Sequence, residues 1–507
     1  MCGIIALFGE DVDVSSYLLS HRGPDDYDTK TMGKCRMDFY RLAINDLTPA
    51  GMQPFIQNNA MLVCNGEIYN HRSFRTGMEK GTSDCEIILP LIKDVGIVNT
   101  LNMLNGDFAF VYTTGSRVIA ARDPIGVRPL FYSKYCDGSI AFASEAKALL
   151  FLNTEINVFP PGHFFDSNVN DFICYHNGYW GVNKYVKMDS KGLLRHRLES
   201  AVQQRIENTE RDVGFLLSGG LDSSLIASIA TRLRGKIKTF SIGLPNSPDL
   251  VAARKVATYL DTDHTEVTFT PEEGISHLND VIHSLESYDT TTVRASTPMW
   301  LLCKYIKQHT SCRYIFSGEG SDEILGGYLY FHNAPNVEEF VGENMRRLRL
   351  IHQFDGLRAD RCAGAHGLDL VVPFLDKEFI NACMTINQNE KIDPIEKRVL
   401  REAFEGYLPH DILWRQKDGM SDAVGTNWVD TVKKYAEAEI DSKMFNEIVS
   451  KSYGYNIPLT KEEALYRSLF WRMYGRDNDH LISEIWRPRW TTITDPSARL
   501  LIEKDRT

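Results

Sequence analysis

The stretch from Val213 to Gly235 sets the tightest limit on what this chain can fold into. Residues 213–217 are apolar and short enough for a buried strand. Ser218-Gly219-Gly220 follow as a turn, and Leu225, Ile226, Ile229, Ala230 and Leu233 then repeat on one helical face. Gly235 stands where such a helix ends. The alternation continues with a strand over 237–244, a helix over 251–260 and a strand over 264–270. Strands separated by helices pair in parallel, with helices on both faces and ligands at the carboxyl ends. The second half is therefore expected to be a doubly wound parallel sheet, with added helices over 397–404 and 433–440.

The first half reads differently. Residues 61–64 run into an Asn65-Gly66 turn, 108–112 into a turn over 113–116, and 118–121 into Arg122-Asp123-Pro124. Short β-rich runs with turns between them predict packed antiparallel sheets and few helices. From Asn177 onward the pattern lapses into polar residues and glycine, until Leu194, Leu198, Val202 and Ile206 mark a helix. The seam is expected at 183–191, dividing the chain into domains over 1–185 and 192–507. Two or more domains suit a chain of 507 residues.

Charge and cysteine usage narrow the class. A formal net charge of −11 argues against a nucleic-acid partner or an anionic membrane surface. The ten cysteines are scattered with no C-x-x-C pair, so they predict reduced thiols rather than zinc ligands or a disulfide framework. No apolar run is long enough to span a bilayer. Cys2-Gly3 directly after Met1 leaves no charged signal-peptide segment, and a cytoplasmic location is expected.

Two loops point to phosphate chemistry. Ser218 to Ser224 lies between strand and helix: glycines let the backbone approach an anion, and the serine hydroxyls and helix-start N–H groups point at it. The loop is neither a Walker A motif nor a dinucleotide fingerprint. Asp222 is placed to hold the Mg²⁺ that accompanies a nucleotide. A second loop, Ser317-Gly318-Glu319-Gly320-Ser321-Asp322-Glu323, follows the apolar run Tyr314-Ile315-Phe316. Two such loops, each with an aspartate, can clamp one metal–pyrophosphate unit, with Glu319 at the strand end for proton transfer.

At the other end, removal of Met1 leaves Cys2 with an α-amine beside its own thiol. That amine titrates near about pH 8, so one residue supplies nucleophile and base. Met1-Cys2-Gly3-Ile4, His21 to Asp25, Arg41-Leu42-Ala43-Ile44, Asn65 to Asn70 and Ser83 to Glu86 resemble the glutaminase domain of class II amidotransferases. The Ser218 loop resembles that of N-type ATP pyrophosphatases. Both halves in this order, with Glu286 to Asp289, Arg294 to Pro298, Val372 to Asp376 and Trp414 to Lys417, resemble the glutamine-hydrolysing asparagine synthetases of the B type.

The resemblance implies an N-terminal-nucleophile (Ntn-hydrolase) domain, a four-layered αββα sandwich, ahead of the pyrophosphatase-type sheet. It implies L-glutamine, L-aspartate and ATP as substrates, Mg²⁺, a homodimer formed through the glutaminase half, and an ammonia tunnel between the domains. In the first site Cys2 is the nucleophile, and Asn65 and Gly66 receive the oxyanion. Glutamine is bound by the segment Arg41, Leu42, Ala43, Ile44 and Asn45, in which Arg41 pairs the α-carboxylate, and by Glu67 and Asp84 at the α-ammonium. In the second, Leu217, Ser218, Gly219, Gly220, Asp222, Ser223, Ile242, Ser317 and Gly318 bind ATP. Asp222 and Asp322 hold the metal, Lys417 stabilises charge on phosphorus, Glu319 handles the proton, and Arg294 with Glu319 meets aspartate.

The chain also departs from the family pattern. Val371 stands where arginine is usual, Asp369 where glutamate is, Ala423 where glycine is, and Asn45 replaces an aliphatic residue. Arg358 or Arg361 is the expected compensation for Val371. Two other readings stay open: the same architecture acting on another carboxylate, and a nucleotide-binding regulator without turnover.

Overall fold

The computed structural model describes residues 1–9, 18–75, 81–176, 189–392, 395–416 and 425–492. Lys417, Ala423 and most of the expected seam lie outside them.

Two antiparallel sheets of six strands form the N-terminal half. One runs, in spatial order, Asn157–Val158, Phe131–Lys134, Ile140–Ala143, Gly3–Phe8, Cys35–Arg41 and Asp26–Met32; the other runs Asp171–Cys174, His163–Asp166, Val118–Arg122, Gly106–Thr113, Ala60–Ile68 and Phe55–Gln57. Strand alternation decides what each sheet covers. In Gly3–Phe8, Ile4 and Ala6 meet Met61, Val63, Ala109 and Val111 of the second sheet, whereas Ile5 and Leu7 join a core shared with the C-terminal half. The helices Ile88–Val95 and Ile97–Met103 cover the far face of the second sheet through Leu62, Phe108 and Phe110.

One expectation fails here. Asn65-Gly66 makes no turn: Ala60–Ile68 is a continuous strand, paired along its length with Gly106–Thr113. Gly66 is required for space, since a Cβ there would come 2.4 Å from the Asp107 carbonyl oxygen and 2.7 Å from Phe108 Cα.

The C-terminal sheet has five parallel strands in the order Asp263–Thr268, Lys238–Gly243, Val213–Leu216, Tyr314–Phe316 and Asp369–Val371. From Val213–Leu216 the chain winds outward to Asp263–Thr268, then crosses to Tyr314–Phe316 on the other side. The winding reverses between Val213–Leu216 and Tyr314–Phe316, and such a switch point opens a crevice at the strands' carboxyl ends. Both glycine loops leave from there. No helix among the described residues is long and apolar enough to cross a membrane.

The two halves are joined by buried charge as well as apolar packing. Arg22 donates to Glu145 at 2.9 Å and to both oxygens of Asp360 at 2.8 and 3.0 Å. Arg361 pairs with Glu145 at 2.9 Å and Glu286 at 2.7 Å, and Glu286 accepts the Ala146 and Lys147 N–H groups at 2.9 and 2.8 Å. Charges this deep are tolerable only when paired on every side.

Candidate active sites

Cys2 lies at the head of the Gly3–Phe8 strand. Its Sγ is 3.4 Å from the Leu42 N–H and 3.5 Å from the Leu42 carbonyl, and Arg22 Nε donates to its carbonyl at 3.0 Å. Burial pushes the thiol pKa up, against the nearby terminal ammonium and the Leu42 hydrogen bond. With Met1 in place the terminal ammonium is itself buried, 3.4 Å from the Leu368 carbonyl and 3.8 Å from Asp369, and burial lowers its pKa.

Asn65 is fully buried, and neither its Nδ2 nor its Oδ1 has a hydrogen-bond partner. An amide left this way loses free energy unless something outside the protein satisfies it. Arg41 is buried too, steadied by hydrogen bonds to the Asp46 and Thr48 carbonyls. Glu67 and Asp84 lie together in the interior. Burial, then Asp84, Asp369 and Cys2, holds the Glu67 carboxyl well above the usual carboxylate range, with Arg128 opposing. Asp84 is raised by burial, against hydrogen bonds from the Ile68 N–H and Asn208.

The second site is the crevice at the switch point. Its wall includes Leu217, Ser218, Gly220, Asp222, Ser223, Ile242, Ser317, Gly318, Glu319 and Asp322. Gly219 does not line it. Its φ of +75° makes the turn, and a Cβ there would come 2.4 Å from the Ala253 nitrogen, so glycine lets the helix Pro248–Leu260 pack close. The helix Leu221–Arg234 begins without a side-chain cap, and its first residues Leu221, Asp222 and Ser223 line the crevice, which suits an anion at a helix start. Gly318 joins the two loops, because a Cβ would meet the Ser223 nitrogen at 2.7 Å.

Asp222 and Asp322 come from the two loops and converge on one cation, the Lys397 ammonium, 2.7 Å from Asp222 Oδ2 and 2.6 Å from Asp322 Oδ1. Among the described residues there is no group of three or more His, Cys, Asp or Glu side chains set to ligate a metal. Two carboxylates sharing a cation still fit Mg²⁺, which takes one or two carboxylates and completes its shell with phosphate oxygens and water.

Other residues fall differently from expectation. Arg294 is 2 % exposed and grips Glu462 through Nε at 2.7 Å and Nη2 at 2.5 Å, away from the crevice wall. A buried guanidinium needs such a carboxylate, and Glu462 supplies it. The wall takes its arginines from elsewhere, Arg358, Arg401 and Arg415, and of these Arg358 donates to Glu319 at 2.6 Å and pairs Asp355 at 2.5 Å. Of the two arginines weighed against Val371, Arg358 enters the crevice, whereas Arg361 turns to Glu145 and Glu286. Near the end of the described residues, Trp486 also joins the wall, held by its backbone N–H to Asp289 at 2.7 Å. Lys397 and Trp486 carry no motif signal in the sequence, whereas Arg358 stands out only by its charge.

Residues 1–171 match the family model described as a glutamine amidotransferase domain, and residues 193–350 and 342–500 match that described as asparagine synthase. The glutamine-hydrolysing asparagine synthetase of Mus musculus is 41 % identical over 99 % of this chain and 98 % of its own length. That of Cricetulus griseus is 42 % identical over the same shares, and that of Zea mays 40 % over 100 % of this chain and 94 % of its own. The chain belongs to the glutamine-hydrolysing asparagine synthetases.

In this synthetase one short helix touches both sites. Asp355–Gly364 carries Arg358 to Glu319 in the crevice and, less than one turn on, Asp360 to Arg22, which holds the Cys2 carbonyl. All ten cysteines are free thiols.

Proposed function

We propose that this enzyme makes L-asparagine from L-aspartate and ATP with ammonia taken from L-glutamine, releasing glutamate, AMP and pyrophosphate. Once Met1 is removed, the Cys2 thiol attacks the glutamine side-chain amide and passes its proton to the new α-amine. The tetrahedral oxyanion is received by the Asn65 amide and the Gly66 N–H. Ammonia leaves with that proton, and water releases glutamate from the thioester. Arg41 takes the glutamine α-carboxylate, the backbone of Leu42 to Asn45 lines the substrate, and Glu67 and Asp84 take its ammonium.

In the crevice a carboxylate oxygen of aspartate attacks the α-phosphorus of ATP, and pyrophosphate departs into the cradle of Ser218, Gly220 and Ser223. Mg²⁺, when bound by Asp222 and Asp322, supplies neutralising charge for the polyphosphate. Lys417 acts on the charge at phosphorus, and Glu319, oriented by Arg358, takes the proton that ammonia loses on attacking the acyl adenylate. Ammonia passes between the sites along the domain interface. We further infer a cytoplasmic homodimer associated through the N-terminal half, which light scattering tests.

The observation that carries the reading is Asn65, a buried amide with both polar atoms unpartnered in a half that opens on Cys2. The deciding experiment is pyrophosphate and asparagine formation with MgATP and aspartate, fed by glutamine or by ammonium, in the wild type and in Cys2→Ala. Loss of only the glutamine-fed reaction supports two linked sites. Absence of aspartate-driven pyrophosphate release in both conditions rejects the reading.

A further inference from the structure

The segment leading from the helix Ser190–Glu207 to the strand Val213–Leu216 lies across the glutamine-binding segment of the other half. The Glu210 N–H and the Thr209 hydroxyl donate to the Ile44 carbonyl at 3.1 and 3.3 Å. Arg211 donates to the Ala43 carbonyl and, at 2.7 Å, to Asp25. Asn208 goes furthest in. It is 3 % exposed, and its Nδ2 donates to Glu67 at 2.7 Å and reaches Asp84 at 3.5 Å.

The other end of that amide is also held. Asn45 Nδ2 donates to the Asn208 backbone carbonyl at 3.0 Å and to its Oδ1 at 3.3 Å. With Oδ1 accepting from Asn45, both Nδ2 protons are left for the two carboxylates, so only one orientation of the Asn208 amide satisfies the site. Two carboxylates buried side by side repel each other, and a donor fixed between them sets their spacing.

We propose that Asn208 is a positioning residue of the glutamine site. The C-terminal half thereby supplies the amide that holds Glu67 and Asp84 apart at the spacing a substrate ammonium requires, and Asn45 locks that amide in place. The inference rests on the glutamine-site reading above. It makes the first site complete only when the two halves are docked, and it ties that site to the strand that carries the Ser218 loop.

The test uses the full-length enzyme with Asn208→Leu, close in volume but unable to donate, and Asn45→Val. Glutamate release gives KM and kcat for glutamine, and ammonium-fed asparagine synthesis reports on the second site in the same protein. Asn208→Leu is expected to raise the glutamine KM about tenfold while kcat stays within about twofold, because a hydrogen bond to a charged group is lost from substrate binding and not from the chemistry. Asn45→Val is expected to raise KM by a smaller factor, and ammonium-fed synthesis stays unchanged in both. An unchanged glutamine KM in Asn208→Leu overturns the proposal, provided Glu67→Gln raises it; if Glu67→Gln also leaves KM unchanged, the glutamine-site reading itself falls. Loss of ammonium-fed synthesis along with the glutamine-fed reaction overturns the proposal too, by giving Asn208 a role in domain docking alone.

Discussion

Lys397 lays its ammonium across the carboxylate of Asp222, 2.8 Å from Oδ1 and 2.7 Å from Oδ2. The same ammonium reaches Asp322 at 2.6 Å, so one lysine balances the carboxylates of both glycine loops. The arrangement is mostly buried, and removing the cation leaves two aspartates facing each other. Lys397→Met is expected to cost the ligand-free enzyme about 3 kcal/mol of stability. Added Mg²⁺ should recover part of that loss, raising the Tm of the variant more than that of the wild type. A Tm unaffected by the substitution would show that the two aspartates do not need a shared cation.

The unpartnered amide of Asn65 makes the opposite forecast. Its buried polar atoms bond to nothing in the protein, so Asn65→Ala leaves stability nearly unchanged. Glutamate release should fall by a factor of about 10²–10³ in kcat, the usual cost of losing one oxyanion donor. Thermal denaturation and steady-state kinetics on the same preparation check it. A fall in Tm with kcat preserved would make Asn65 a structural residue.

Gly318 holds the two loops at a separation that only glycine permits, with a Cβ meeting the Ser223 nitrogen at 2.7 Å and the Asp222 carbonyl carbon at 2.9 Å. Both neighbours are backbone and cannot step aside, so Gly318→Ala pushes the loops apart. The KM for MgATP should rise at least about tenfold, since misplacing a binding group by about 1 Å can cost about a hundredfold. Glutamate release without ATP should hold, because that chemistry lies in the other half. Equal losses in both activities would point to general unfolding.

Glu67 and Asp84 set a pH dependence. Burial raises both carboxyl pKa values, and for Glu67 the nearby Asp84, Asp369 and Cys2 add to it against Arg128. The folded state therefore holds protons that the unfolded chain has released. The stability these groups contribute is fully present below the unfolded carboxylate value of about 4 and is lost as pH rises through the raised folded values. Glutamine reverses the trend, because its ammonium needs the carboxylates ionised. In Cys2→Ala, which lacks the thiol, the Tm increase produced by glutamine should grow with pH across that window. An increase that is flat with pH would mean the two carboxyls do not meet the substrate ammonium.

Much of the machinery is legible in local sequence. The strand, glycine turn and helix around Ser218 form as read, because each preference acts over a few residues, and the helix spans Leu221–Arg234 ahead of Gly235. Local signals mislead where a residue serves a distant neighbour. Asn65-Gly66 has the composition of a hairpin turn yet lies inside a strand, since Gly66 is there for the approach of Asp107 and Phe108. Arg294 lies in a stretch that resembles the family, yet its guanidinium goes to Glu462, a partner 168 positions away.

The sequence by itself determined the two halves, their sheet types, the cysteine at position 2 and the two glycine loops that follow strands. All of these follow from periodicity and short motifs. Only the tertiary structure decided that Lys397 joins Asp222 to Asp322, that Arg22 reaches across 338 positions to Asp360, and that Asn208 reaches Glu67 and Asp84 from the opposite half. These are pairings of buried charge and amide groups, and their partners are set by how the two halves dock. No local preference encodes them, because the free energy that selects them arises only once water has been excluded from the interface.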